Sequence, residues 1–223
     1  MVTEAWRSPW FRAFLVASAL HLLLLGLDLS PWDSITKCFC APLLAVWAWR
    51  AGAPHLLVDA LVLCFFGDLF LELDGLFVVG MAAFAAAHVC FVTFFVRRGA
   101  REAVRRAPWA ALLYLVLAVG MVVWAWTGLD VGLRAAVPVY ALLLVATAAT
   151  SLAVDRVAGL GGALFLVSDG IIALGEAGRI DSSDLLPRLA IMVLYLAGIA
   201  GLAIGATRVT RARADATPDP VRP

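Results

Sequence analysis

Eight apolar segments follow one another along this chain, each close to the length that an α-helix needs to cross a lipid bilayer. Such a helix takes about 20 apolar residues, within a range of about 17–25. The segments cover residues 11–28, 35–49, 55–73, 77–96, 108–127, 131–151, 157–176 and 185–206. Because 64% of the residues are hydrophobic and only 15% are charged, a soluble globular protein is excluded. We predict an all-α membrane bundle of eight transmembrane helices within residues 1–210.

The C-terminal residues 211–223 are rich in arginine, proline and aspartate. Such a composition offers too little apolar surface to bury. We therefore predict that this segment is a disordered tail.

The arginines are distributed unevenly between the two predicted faces of the bundle. Thirteen lie at one face, whereas only Arg134, Arg179 and Arg188 lie at the other. Since lysine and arginine accumulate in cytoplasmic loops, this distribution predicts that both termini are cytoplasmic. We accordingly expect a multi-pass protein of the inner (cytoplasmic) membrane.

Charge and metal-ligand spacing exclude other kinds of partner. The net charge of +1 provides no electrostatic basis for nucleic-acid binding. The four cysteines and three histidines lack the spacing typical of metal sites, so we predict neither a metal nor another cofactor. A metal site built from His88 and carboxylates is the alternative that stays open. The oligomeric state has no signature in the sequence.

Two of the predicted helices carry an aspartate within matching sequences. Residues 61–68 read LVLCFFGD and residues 162–169 read GALFLVSD, so a small residue precedes each aspartate. A carboxylate within the hydrocarbon costs about 2.5–3.5 kcal/mol or more, and intramembrane acids therefore usually serve catalysis or transport. The spacing of four helices between the windows also suggests a parallel repeat, with helices one to four matching helices five to eight.

Other polar residues fall at the same predicted depth as these aspartates. At a rise of 1.5 Å per residue, Asp68 and Asp169 lie about 18–20 Å from the inner ends of their helices. His88, Tyr140 and Tyr195 lie about 13–17 Å from the outer ends of theirs. We expect these side chains to converge in one layer, slightly outside the bilayer midplane.

Lys37 is the only lysine in the chain and stands at the outer mouth of the second segment. Its ammonium could extend to the headgroups, but because every other cation is arginine we predict that it belongs to the same polar layer. Glu72 follows Asp68 by one helical turn and either hydrogen-bonds the site or marks the water boundary. His88 and the two tyrosines could instead be packing residues. Glu176 is expected to be solvated.

Short motifs occur in a fixed order along the chain. They are Thr36-Lys37, Pro42-Leu43-Leu44, Gly67-Asp68, residues 84–88, residues 162–165, Ser168-Asp169 and Tyr195. In order and spacing, from about residue 11 to residue 207, they resemble the YhhN family of eight-helix membrane proteins, the lysoplasmalogenases. Two positions depart from the family pattern: Cys38 stands where proline is frequent, and Gly198 where we expect glutamine.

The resemblance implies hydrolysis of the vinyl ether bond of a lysoplasmalogen, without a metal. The products would be a fatty aldehyde and glycerophosphoethanolamine or glycerophosphocholine. This chemistry requires one protonated carboxylic acid and one ionised carboxylate, as in glycoside hydrolysis. We expect Asp68 and Asp169 to be these catalytic groups, acting on a lysophospholipid taken from the bilayer. The candidate substrate-binding residues are Lys37, Glu72, His88, Tyr140 and Tyr195.

A transport function is the main alternative. In a proton-coupled transporter or channel, the same aspartates would carry protons or bind a cation, and an internal repeat would support alternating access. A non-catalytic lipid-binding or scaffold protein is a third possibility, but it leaves both intramembrane aspartates unexplained.

Overall fold

The computed structural model describes residues 5–216, and its regular structure is entirely α-helical in that range. Within residues 5–216, nine helices have defined bounds: α1 Pro9–Gly26, α2 Trp32–Arg50, α3 His55–Leu71, α4 Phe77–Arg97, α5 Ala100–Arg106, α6 Trp109–Ala125, α7 Val131–Val154, α8 Arg156–Glu176 and α9 Leu185–Ala216. The predicted all-α class is confirmed. Each of the eight apolar segments corresponds to one helix, and α5 is an additional short helix in the connection after α4.

Five of these helices, α1, α4, α7, α8 and α9, are long and apolar enough to cross a membrane. The pair α5 and α6 would provide a sixth span, although an 89° bend separates the two helices. Helix α2 carries Asp33, Lys37 and Arg50, and α3 has 17 residues, the lower limit of the usual spanning length. The eight-span arrangement and the cytoplasmic termini therefore stay predictions.

The outward-facing surface of the bundle is apolar. On α6 only Ala118 and Ala125 are buried, whereas Leu113, Val116 and Val123 are 61–68% exposed. Apolar surface of this extent is unfavourable in water but suits contact with lipid chains. The chain thus has the surface of a multi-pass membrane protein.

The helices pack largely in chain order. Contacts run from α1 through α2 and α3 to α4, then from α4 to α7, and from α7 through α8 to α9. Helix α9 also contacts α1, α2 and α3 and so closes the bundle, while α6 packs against α7 and α8. Chain-order packing in both halves is compatible with the predicted parallel repeat, which stays a prediction.

Helices α8 and α9 approach each other closely at glycines. A Cβ atom at Gly161 would lie 2.5 Å from the backbone nitrogen of Leu202. A Cβ atom at Gly198 would lie 3.1 Å from both the carbonyl oxygen of Gly161 and the backbone nitrogen of Phe165. Small residues allow such close helix packing within membranes. This contact explains Gly198, because the glutamine expected from the family resemblance would press against the backbone of α8.

The last helix extends further than the sequence indicated. Helix α9 runs over 32 residues to Ala216, so residues 211–216, placed in the disordered tail, are helical. Residues 207–216 read TRVTRARADA, which contains good helix formers and neither glycine nor proline. The remaining part of the predicted tail, residues 217–223, lies outside the described residues.

Candidate functional site

A cavity of about 680 Å³, including its open mouth, lies at the end of the bundle where α3 and α8 end and α4, α7 and α9 begin. Its apolar walls consist of Leu71, Phe77, Met81, Phe84, Leu133, Val137, Ile172, Ala173, Ile191 and Met192. Its polar groups belong to Lys37, Asp68, Tyr140, Ser168, Asp169, Glu176 and Tyr195. Apolar walls with a few convergent polar groups are typical of a small-molecule binding site.

Asp68 lies at this cavity with two polar partners from other helices. The Tyr195 hydroxyl of α9 donates a hydrogen bond to Asp68 Oδ2 at 2.6 Å. Lys37 Nζ of α2 lies 3.9 Å from Asp68 Oδ1. Because Asp68 is only 2% exposed, a charged carboxylate there depends on these partners for compensation.

Lys37 lies between two carboxylates. Its ammonium donates a hydrogen bond to Glu72 Oε1 at 2.7 Å, in addition to its contact with Asp68. Its side chain is 13% exposed and that of Glu72 is 29% exposed. Lys37 is therefore directed toward the cavity and its acids rather than toward the headgroup level. Glu72, which directly follows the end of α3, contacts the site through Lys37.

Asp169 has a tyrosine partner but no contacting cation among the described residues. The Tyr140 hydroxyl of α7 donates a hydrogen bond to Asp169 Oδ2. The neighbouring Ser168 is buried and donates to the Ile191 carbonyl oxygen at 3.0 Å, which ties α8 to α9 beside the cavity. The two aspartates thus share one kind of partner and differ in their electrostatic surroundings.

His88 lies beside the site but not on the surface of the cavity. It is fully buried, and its Nδ1 lies 3.0 Å from Thr147 Oγ1. Its ring packs edge-on against Phe165 and Tyr140, with centroid distances of 4.6 and 5.7 Å. His88 therefore supports the tyrosine that holds Asp169, and direct contact with a substrate stays a prediction.

The glycine before Asp68 makes room for an aromatic ring. A Cβ atom at Gly67 would lie 2.5 Å from the Phe84 ring. Phe84 in turn packs edge-on against Tyr195 and Phe165, with centroids 5.8 and 6.0 Å apart. Gly67 thus allows Phe84 to lie beside Asp68 and to orient the ring of Tyr195.

The structure adds two polar cavity residues that the sequence did not assign to the site. Ser168 occupies the position in the second matching window that Gly67 occupies in the first, and this equivalence was the available signal. Glu176 lines the mouth of the cavity and is exposed, as expected of a solvated residue. Of the seven predicted site residues, five line the cavity, Glu72 contacts it through Lys37, and His88 lies behind Tyr140.

Apart from Ser168 and Glu176, the site offers the carboxyl groups of the two aspartates, two phenol donors and one ammonium around an apolar space. These groups are suited to acid and base chemistry on an apolar substrate. Within residues 5–216, no group of three or more histidine, cysteine, aspartate or glutamate residues is arranged to hold a metal ion.

Comparisons with known proteins cover most of the chain, including every predicted site residue. The sequence profile of the YhhN family matches residues 32–206. The human protein named lysoplasmalogenase TMEM86B is 31% identical over 171 residues, which are 74% of this chain and 73% of that protein. A Mycobacterium tuberculosis protein named lysoplasmalogenase is 29% identical over 189 residues, covering 78% of this chain and 72% of that protein. No solved structure matches significantly.

Proposed function

This chain belongs to the YhhN family, and on that premise we propose that it is a membrane hydrolase of the lysoplasmalogenase type. Its substrate is a lysophospholipid whose single chain is attached through a vinyl ether. The products are a fatty aldehyde and a glycerophospho-alcohol. The observation that carries the proposal is the pair Asp68 and Asp169, which line one cavity and each accept a hydrogen bond from a tyrosine of another helix.

The cavity suits a lipid with one hydrocarbon chain. Ten of its lining residues are apolar and come from α3, α4, α7, α8 and α9. They can surround the chain, while the two aspartates reach the ether that joins the chain to the polar part of the lipid. Lys37 and Tyr195 are close enough to Asp68 to bind polar atoms of the same substrate.

We assign the proton donor to Asp169 and the ionised carboxylate to Asp68. The Lys37 ammonium, 3.9 Å from Asp68 Oδ1, stabilises a negative charge on Asp68. Asp169 has no contacting cation in the described part of the chain, and an apolar surrounding favours its neutral form. Tyr140 engages Oδ2 of Asp169, which leaves Oδ1 to carry the acidic proton.

The reaction begins when Asp169 transfers this proton to the β-carbon of the vinyl ether. The electrons of the double bond form the new C–H bond, and the positive charge is shared between the ether oxygen and its neighbouring carbon. The carboxylate of Asp68 stabilises this oxocarbenium ion and accepts a proton from the water that adds to it.

The resulting hemiacetal then collapses. The ionised Asp169 removes the proton of the hemiacetal hydroxyl, a C=O bond forms, and the bond to the glycerol oxygen breaks. Asp68 returns its proton to that oxygen. Both carboxyl groups are thereby restored, and one water molecule has been consumed.

The decisive experiment is aldehyde release from a lysoplasmalogen by the purified protein in detergent. We expect release with and without EDTA, and none from a lysophospholipid with a saturated ether chain, because that ether has no double bond to protonate. Proteoliposomes with an internal pH dye test transport in parallel. Proton movement without aldehyde release would contradict the hydrolase and favour the transporter.

A further inference from the structure

A second cavity lies at the opposite end of the bundle from the two aspartates. It has about 580 Å³ of empty space, including its mouth, between the start of α1, the end of α2 and the C-terminal half of α9. On α9, Arg208 follows Tyr195 by thirteen residues, which is about 20 Å along a helix. The lining of this second cavity includes Trp47, Ile204, Thr207 and the arginines Arg50, Arg208 and Arg211.

The charge of this cavity is positive. No acidic side chain lines it within residues 5–216. Asp155 Oδ2 lies 3.8 Å from Arg208 Nη1, but Asp155 Oδ1 also accepts hydrogen bonds from the first backbone N–H groups of α8. Asp155 is therefore shared between the N-terminus of α8 and Arg208, and it can balance at most one guanidinium.

Arg208 has an unsatisfied donor. Its Nε is buried and has no hydrogen-bond partner in the described part of the chain. Leaving a charged N–H group buried without an acceptor is unfavourable. Arg50, whose guanidinium lies 5.6 Å from the centre of the Trp49 ring, adds a second cation from α2. An acceptor that enters the cavity would therefore meet donors from two helices.

We propose that this cavity binds the phosphate group of an anionic ligand, with Arg50 and Arg208 as its main cations. A phosphate presents several acceptor oxygens that match the paired N–H groups of guanidinium. Basic pockets between helices on the cytoplasmic side of a membrane bind anionic lipid headgroups, and the arginine-rich end is the predicted cytoplasmic end. Trp47 and Ile204 suit the lipid carbons next to the phosphate. The source of the phosphate is an anionic phospholipid or the free ion.

Native mass spectrometry of the full-length protein tests this proposal with two lipids, phosphatidylglycerol and zwitterionic phosphatidylcholine. We expect preferential binding of phosphatidylglycerol, and Arg50→Gln and Arg208→Gln should each weaken it about five-fold. Arg106→Gln, which removes an exposed arginine from the end of α5, is the matched control and should bind like wild type. Arg50→Gln breaks no ion pair in the described residues, so it remains informative if Arg208→Gln fails to fold.

A second arm measures thermal unfolding with inorganic phosphate and no added lipid. Stabilisation of wild type by phosphate, lost in both cavity variants, would identify the free ion as a ligand of this cavity. Preferential lipid binding without stabilisation by phosphate would identify the headgroup. Equal behaviour of wild type, Arg50→Gln and the Arg106→Gln control in both arms would overturn the proposal. Because aldehyde release is measured separately, failure here is distinguishable from failure of the hydrolase assignment.

Discussion

Tyr195 donates a 2.6 Å hydrogen bond to Asp68 across 127 residues of sequence. Tyr140 makes the equivalent bond to Asp169 across 29 residues. Each aspartate is therefore oriented by a phenol from a different helix, although among the described residues only Asp68 has a neighbouring ammonium. The two carboxyl groups can consequently take unequal parts in one reaction.

Asp68→Asn and Asp169→Asn should each lower turnover by about 10²-fold or more, because each removes one of the two proton-transfer groups. The double variant should be little worse than either single variant, since groups that act together are not additive. Aldehyde release measures the effect. Asp59→Asn, an exposed aspartate on the same helix as Asp68, is the control and should be fully active. Full activity of either site variant would contradict the two-carboxylate mechanism.

Lys37→Met should reduce turnover strongly, because it removes the cation 3.9 Å from Asp68. Lys37→Arg should restore activity only in part, since the Lys37 side chain is only 13% exposed and a planar guanidinium differs from a compact ammonium. Steady-state kinetics of the two variants check this expectation. If Lys37→Met kept wild-type turnover, Lys37 would have a structural role only.

Tyr195→Phe should lower turnover about tenfold, the value of one hydrogen bond to a charged group. Its ring contacts with Phe84 and Phe165 remain, so thermal stability should change little. Tyr140→Phe should have a smaller effect, because its acceptor Asp169 is the neutral acid of the proposed mechanism. The third tyrosine, the half-buried Tyr114 on α6, provides the control Tyr114→Phe, and an equal loss of activity there would refute a specific role for the site hydroxyls.

Gly161→Ala should destabilise the protein by about 1–3 kcal/mol, because the new methyl would overpack the contact between α8 and α9. Gly198→Gln should also destabilise it, although glutamine is the residue expected from the family pattern. Thermal unfolding in detergent measures both variants. Gly120→Ala is the matched control: its Cβ would meet nothing within 4 Å, so it should be neutral or stabilising. Unchanged unfolding of Gly161→Ala would argue against the close helix contact.

The cavity with the aspartates should open on the outer face of the membrane, since the arginine distribution predicts cytoplasmic termini. A membrane-impermeant thiol reagent should label a cysteine introduced at Asp181, which lies in the exposed connection before α9. It should not label one at Glu102, which is exposed on α5 at the other end. The reverse labelling pattern would invert the topology.

Helix positions followed from the sequence because bilayer thickness fixes the length of each apolar segment. Depth along a helix was equally predictable from the rise per residue, and it correctly brought Asp68, Asp169, Tyr140 and Tyr195 to one cavity. Depth does not give the rotation of a helix about its axis. His88 has the right depth, but its ring packs behind Tyr140 instead of lining the cavity.

Lys37 is a second residue whose partners could not be predicted from its depth along a helix. The sequence placed it at the mouth of a helix, where its ammonium could either extend to the lipid headgroups or turn toward the site. Its hydrogen bond to Glu72 requires the end of α3 to lie next to Lys37 of α2. That position depends on the packing between the two helices, which the sequence alone does not give. The apolar segments also gave no sign of the seven-residue α5 in the connection after α4, which forms because its sequence, AREAVRR, is rich in good helix formers.

The glycine contact between α8 and α9 has a mechanical consequence for how a lipid reaches the aspartates. It joins the helix of Asp169 to the helix of Tyr195 with little room for relative movement. A hydrocarbon chain must then enter and leave elsewhere, and we expect the route to lie between α4 and α7, where the unbranched side chain of Met81 can adapt. Linking α4 to α7 by a disulfide should therefore slow product release, whereas a link between α8 and α9 should not.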